Sequence, residues 1–215
     1  MTFKELFPLQ VVINLDSRPD RLKVCMEEEF PKLGIIPVRK PGIVFTQAGN
    51  AFSNGSIGCL LSHYDILQAA LILQTNVFIF EDDIKFINDA ETFLDYSCDE
   101  LQDIKWDMFY LAGNLLKPAY KVSKHLARVS WCQSTVAYGI NKKFIEELLS
   151  YINLQEIKKP IDLIYAQDII PNHNCFITYP LLGIQRDDFS NIEGKEVKYS
   201  EYLESRYWEN IKDEK

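Results

Sequence analysis

The sequence predicts an α/β fold, a sandwich of helices around a mainly parallel sheet. Three observations carry that prediction. Val77-Phe78-Ile79-Phe80 is a continuous apolar run, the pattern of a parallel strand buried on both faces. Before it, Ile57, Leu60, Leu61, Tyr64, Leu67 and Leu71 recur at helical spacing, so a helix feeds the strand. Apolar runs and helical patterns then alternate along the chain, with no repeat, low-complexity tract or linker to divide it, the order of α/β crossovers.

Residues 10–15 read as the first buried strand, closed by the turn Asp16-Ser17-Arg18-Pro19-Asp20, and residues 21–30 as a helix that stops before Pro31. The stretch 34–54 mixes Pro37, Pro41, Gly42 and Gly49, so it is loop or short strand. Asn54 or Ser56 caps the helix that follows. Residues 106–111 form a third strand, ended by Ala112-Gly113-Asn114, and residues 134–139 a short one. Asn141 caps a helix through Phe144, Ile145, Leu148, Leu149 and Ile152. Pro160 opens a short helix over 161–169, and residues 176–179 are a last strand. In the tail, 193–215, Tyr199, Tyr202, Leu203 and Tyr207 recur at helical spacing. A helix packing its aromatic face on a single domain, 1–215, is expected.

Composition excludes several classes. A chain of 215 residues with 47% hydrophobic and 25% charged content is that of an ordinary globular protein. A net charge of −8 offers no basic stripe for a nucleic-acid partner. Residues 1–8 show no apolar leader core, and no run reaches the roughly 18 apolar residues of a membrane span. A cytoplasmic protein is therefore expected, with its five scattered cysteines reduced. No Cys-x-x-Cys pair points to zinc or dithiol chemistry, and Cys59 and Cys132 read as small buried hydrophobes.

The chemistry begins at Glu81-Asp82-Asp83, directly after the apolar strand. Parallel sheets bind ligands beyond their strands' carboxyl ends. Three acids there repel one another, a cost a divalent cation removes. Mg²⁺ or Mn²⁺ holding a diphosphate suits such oxygen donors; a solvated turn is the plainer alternative. Gly55 and Gly58 flank a helix start, where free amides suit anions. No Gly-Lys-Ser/Thr follows, so this is not a P-loop.

Several segments together resemble glycosyltransferase family 25, which includes lipooligosaccharide and collagen galactosyltransferases. They are Val12-Ile13-Asn14-Leu15-Asp16 with Arg18 and Asp20-Arg21, then Gly55-Ser56-Ile57-Gly58-Cys59-Leu60-Leu61-Ser62-His63, then Phe80-Glu81-Asp82-Asp83. Trp106-Asp107-Met108-Phe109-Tyr110-Leu111, Ala137-Tyr138-Gly139-Ile140 and Pro160-Ile161-Asp162 follow in order. Tyr179-Pro180, Gln185 and Ser190-Asn191-Ile192 close the series. Two positions depart from the family pattern: Asn191 stands where Asp is usual, and Ser56 where Glu is common. The resemblance implies a GT-A fold, a nucleotide-sugar donor and inversion at the anomeric carbon. It points to a UDP-hexose (galactose or glucose) as donor and a glycan or hydroxylated peptide as acceptor. A lipid-linked acceptor would bring the enzyme to a membrane face.

Within that frame Asp83 binds the metal directly, Glu81 acts through its water shell, and Asp82 accepts from the ribose or a backbone amide. Asp162 is either the base that deprotonates the acceptor hydroxyl or a first-turn helix carboxylate, with Asp168 as fallback base. Asn14 presents donor and acceptor groups to a uracil edge. Arg21 pairs with phosphate, or with Asp20 or Glu27. The resemblance puts Gly58 and His63 on the donor side, although a histidine on a helix is more often hydrogen-bonded within the fold than a ligand. His173 is a candidate late metal ligand, and Gln185 and Asp188 lie near the acceptor mouth. Tyr110 and Trp131 are sugar platforms or core residues. Two other functions remain open: a non-catalytic glycan- or nucleotide-sugar-binding module of the same fold, and a nucleotidyltransferase. The latter would favour a Gly-rich loop, and residues 14–21 contain no glycine.

Overall fold

The computed structural model describes residues 1–46, 53–190 and 195–213. The short α1 (Phe3–Leu6) carries a capping box between Thr2 and Glu5. It leads into β1 (Leu9–Asn14) and α2 (Pro19–Val24), whose helix continues as a wider turn over Cys25–Glu29 and a tight one over Phe30–Leu33. Gly34 ends it in the left-handed region, at φ 61°. Next come β2 (Val38–Pro41), α3 (Asn54–Leu73), β3 (Val77–Glu81), β4 (Ile84–Phe86) and α4 (Ala90–Gln102). The strands β5 (Met108–Leu115), β6 (Ala119–Lys121), β7 (Leu126–Val129) and β8 (Cys132–Ile140) follow. The chain ends with α5 (Ile145–Ser150), α6 (Ile161–Ile164), β9 (Cys175–Thr178), β10 (Gly183–Gln185), β11 (Asp188–Ser190), β12 (Lys195–Val197), α7 (Ser200–Asn210) and β13 (Ile211–Lys212).

Nine of these strands form one sheet in the order β13-β6-β7-β9-β5-β8-β3-β1-β2. Only β7 and β8 run against the others, so the sheet is mainly parallel in direction. Alternation along the strands divides the core in two. Val11, Val77 and Ile79 face a layer with Leu60 and Leu67 of α3 and Leu148 of α5. Val12, Phe78 and Phe80 face a second, aromatic layer with Phe3, Phe7, Phe30 and Phe109, and with Leu94 and Leu101 of α4. The result is the expected Rossmann-like α/β/α sandwich of GT-A type.

The cap of α3 is Ser53, whose hydroxyl accepts from the Ser56 amide, rather than Asn54 or Ser56. This helix is 20 residues long and apolar enough to cross a membrane by length and composition alone. Here it is a core helix, with Leu60, Ile66, Leu67 and Ala70 packed against the sheet. The helix after Asn141 begins at Ile145.

The tail departs from expectation in one respect. Leu203 and Tyr207 bury the expected apolar face, and the Tyr207 hydroxyl donates to the Thr178 carbonyl at 2.8 Å. Tyr202 points elsewhere and stays 43% exposed.

Candidate active site

Buried β3 delivers its acids to the sheet's carboxyl edge. The residue parity that points Val77 and Ile79 at α3 does the same for Glu81. Its Oε1 meets His63 Nε2 at 3.2 Å and accepts from the Thr135 hydroxyl at 2.5 Å. Burial pushes the Glu81 carboxyl up, but His63 and Thr135 outweigh it and hold the group below its usual range. Asp82, on the opposite side, accepts from Asn14 Nδ2 at 2.7 Å and from Arg21 Nη1 at 3.1 Å. Its backbone carbonyl receives the Cys25 thiol and Arg186 Nη2. Desolvation still raises Asp82, against the pull of Asn14 and Arg21.

Asp83 is the most strained of the three electrostatically. Its Oδ2 accepts from Gln185 Nε2 at 2.9 Å and faces Arg21 Nη1 at 3.5 Å. Its Oδ1 is buried without a hydrogen-bond partner. Burial, with the charge of Glu81 next, pushes this carboxyl up to about 7. A buried carboxylate oxygen with no donor is a costly arrangement. A hard cation would relieve it, so the oxygen-rich donor set here fits Mn²⁺ or Mg²⁺.

Two chambers meet at these acids. The first, about 360 Å³, is walled by residues 13–15, Ser17, Arg18, Arg21, residues 42–45 and the first turns of α3, with Glu81, Asp82 and Asp83 at its end. The second, about 340 Å³, holds Asp162, Asn114, Gln133 and Ser134, with Tyr199, Tyr202 and Leu203 from the tail. Cys59, Glu81 and Gln185 border both. Residues 8–165 match the family model described as "Glycosyltransferase family 25 (LPS biosynthesis protein)". The chain belongs to glycosyltransferase family 25.

Its curated relatives in this family are distant. It is 27% identical over 129 residues to the "Probable inactive glycosyltransferase 25 family member 3" of Bos taurus, covering 57% of this chain and 22% of that protein. It is 26% identical over 117 residues to the "Inactive glycosyltransferase 25 family member 3" of Mus musculus, covering 51% and 20%. The aligned stretch thus spans about a fifth of those relatives' length. Among solved structures, A197 from STIV aligns at TM-score 0.49 with 13% identity, covering 88% of this chain and 92% of its own. A glycosyltransferase involved in glycosylating the major capsid of PBCV-1 aligns at 0.47 with 12% identity, covering 83% and 93%.

Family 25 residues named from the sequence fall into three groups. Glu81, Asp82, Asp83, Asn14, Arg21, Gly58 and His63 all line the first chamber, and Asp162 lines the second. Yet Asn14 is 1% exposed, and its amide is spent inside the protein. Nδ2 donates to Asp82 and to the Arg18 carbonyl, while Oδ1 accepts from Arg39 Nε. Arg21 likewise turns inward, pairing with Asp82, Asp83 and Asp188 rather than with Asp20 or Glu27. Asp82 receives those side chains rather than a backbone amide. Gly58 has a steric reason: a Cβ there would lie 2.2 Å from the Ile43 carbonyl oxygen. Ser62 clamps the same crossing, donating to the Gly58 carbonyl and accepting from the Ile43 amide.

Most other candidates lie outside the chambers. Asp168 is ion-paired to Lys159 at 2.8 Å outside both chambers. His173 bonds Glu147 and the Ile169 carbonyl. It precedes β9, so it sits at the sheet edge opposite the acids. Tyr110 is fully buried core. Trp131 lies beneath Lys117, at 4.3 Å, and lines neither chamber. Gln185 borders both chambers, and Asp188 closes on Arg18 and Arg21. Asn191 lies outside the described residues. Sequence reasoning missed Thr135, Asn114 and Gln133, which enter through β5 and β8. The register irregularities between those strands re-aim residues 112–115, and nothing in a single sequence announces them.

Proposed function

We propose that this family 25 chain is an inverting hexosyltransferase. A UDP-sugar, carrying galactose or glucose, occupies the first chamber, and a saccharide or hydroxylated peptide side chain enters the second. The observation that carries this reading is the meeting of the chambers at Glu81 and Gln185. Asp82 and Asp83 stand on one side of that junction and the half-buried carboxylate of Asp162 on the other. Inversion suits this separation, because the diphosphate leaves from one face of the anomeric carbon while the base activates the acceptor hydroxyl on the other.

Asp83, through its unpartnered Oδ1, would hold Mn²⁺ or Mg²⁺, with Glu81 acting through the ion's water shell. Such an ion would neutralise charge on the departing diphosphate. Asn14 and Arg21 act as positioning residues that lock the acid loop, and Gly58 lets residues 42–45 close as the chamber wall. Asp162 takes the acceptor hydroxyl's proton. Burial raises its carboxyl, with Glu81's charge adding to the rise, while the Leu163 and Ser134 amides oppose it. A raised carboxylate is a stronger base than one in water.

Two observations favour a binding module instead. Arg21 already supplies a positive charge to Asp82 and Asp83, and the curated mammalian relatives are named inactive. A panel of nucleotide sugars, read as released nucleoside diphosphate with Mn²⁺ and with chelator, separates the two readings. Metal-dependent UDP release from one donor supports the transferase. A UDP-induced thermal shift with no turnover on any donor and acceptor supports the module.

A further inference from the structure

We propose that Cys59, His63 and Glu81 form a second metal site at the junction of the chambers, one selective for ions of the Zn²⁺ and Cd²⁺ class. Its effect on turnover rests on the transferase reading; its existence does not. Cys59 and His63 lie one turn apart on α3, so their side chains share a face. Glu81 reaches them from the end of β3. The thiol sulfur, ring nitrogen and carboxylate oxygen lie within 4.8 Å of one another, the only such group among the described residues. His63 Nε2 and Glu81 Oε1 are 3.2 Å apart. That is about the separation of two light donors bonded at ~2.0–2.1 Å to one tetrahedral ion.

The supporting shell is already built. His63 is fully buried, and its Nδ1 meets the Tyr138 hydroxyl at 2.7 Å. Tyr138 meets the Tyr165 hydroxyl at 3.1 Å. A metal-bound imidazole hands its remaining N–H to such a partner. Tyr138 can take it, because a phenol donates or accepts by rotation. Thr135 steadies Glu81 from the other side. Since Cys59 and Glu81 both border the chambers, the fourth coordination position opens to the cleft. Three protein ligands with one open position is a common zinc arrangement.

Ligand chemistry separates this site from the hard-cation loop. A thiolate and an imidazole select Zn²⁺ or Cd²⁺, whereas Mg²⁺ and Mn²⁺ prefer carboxylate and water oxygens. Glu81 belongs to both sites, so an ion bound through its Oε1 lessens the negative charge it offers to an ion at Asp83. Zn²⁺ at Cys59 therefore weakens the hold on the Asp83 ion and slows transfer.

The test is a Cd²⁺ titration of the full chain, read by the ultraviolet thiolate-to-cadmium absorption. One equivalent is expected in the wild type and in Asp83→Asn. The band should vanish in Cys59→Ser, and affinity should fall at least about tenfold in His63→Ala. Cys59→Ala, with its thermal midpoint measured, guards against a folding defect in the serine variant. No band in the wild type, a band that survives in both folded Cys59 variants, or its loss in Asp83→Asn overturns the proposal. A Cd²⁺ band in a protein that turns over no sugar nucleotide leaves this site standing and removes the transferase reading. Turnover without the band does the reverse.

Discussion

Replacing Asp83 by Asn should abolish sugar transfer and stabilise the protein. Burial and the charge of Glu81 hold the folded Asp83 carboxyl at about 7, against an ordinary value of 3.8. At about 1.4 kcal/mol per pH unit, keeping it ionised at alkaline pH costs the fold at most about 4 kcal/mol. Asparagine removes that charge but sets an amide N–H where Oδ1 now lacks a partner, at a cost of about 1–3 kcal/mol. The net gain is about 2 kcal/mol, or about 4–8 °C for a domain of this size. The sign is fixed by linkage: a raised carboxyl pKa weakens the folded state as pH climbs from about 4 to about 7. The advantage of Asp83→Asn should therefore be full near pH 8 and fade toward pH 4. Thermal melts in chelator across that range measure it, and adding Mn²⁺ should raise the midpoint of the wild type alone. An Asp83→Asn midpoint equal to the wild type at pH 8, or an advantage independent of pH, would refute the reasoning.

Four further outcomes follow from the geometry. Asp162→Asn should lower transfer by at least about 10²-fold in steady-state assays while leaving UDP affinity by calorimetry unchanged. Gly58→Ala forces a Cβ against the Ile43 carbonyl oxygen at 2.2 Å. It should cost about 1–3 kcal/mol in denaturant melts and raise the donor KM, because residues 42–45 must move. Tyr202→Ala should raise the acceptor KM several-fold with donor hydrolysis unchanged, since Tyr202 lines only the second chamber. Glu100 accepts from the Ser123 hydroxyl and the His125 amide and meets His125 Nδ1 at 2.7 Å. Burial works against these bonds, yet they hold its carboxyl below the usual range. Glu100→Gln should thus cost about 1–2 kcal/mol at neutral pH, a penalty that disappears as pH falls through the folded-state pKa of Glu100.

Much of this architecture was legible because its signals are local. Val77–Glu81 declares itself by an unbroken apolar run ended by acids, and α3 by helical spacing. The α4 helix was equally readable from Ala90, Leu94, Cys98 and Leu101, yet its acidic surface drew no expectation. The strands β6 and β7 are three and four residues long. Strands that short form because neighbours across the sheet accept their hydrogen bonds, which no local pattern records. At the site, the acids and Asp162 were legible as chemistry, and their burial was not. Asn14 and Arg21 read as ligand-facing groups because a sequence shows which bonds a side chain can make. It does not show that Asp82, brought in from 68 residues away, has already taken one from Asn14.

The position of β9 has consequences for synthesis. Cys175–Thr178 lies between β5 and β7, pairing with Met108–Tyr110 on one side and Leu126–Arg128 on the other. As the chain leaves the ribosome, β2, β1, β3, β8 and β5 can assemble from its first two-thirds. Their outer edge then waits, unpaired, for a segment that emerges some 35 residues after β8. An open edge is a template for another chain, and long-range closures of this kind are slow. Arrest or truncation before Cys175 therefore exposes the half-sheet as an aggregation seed.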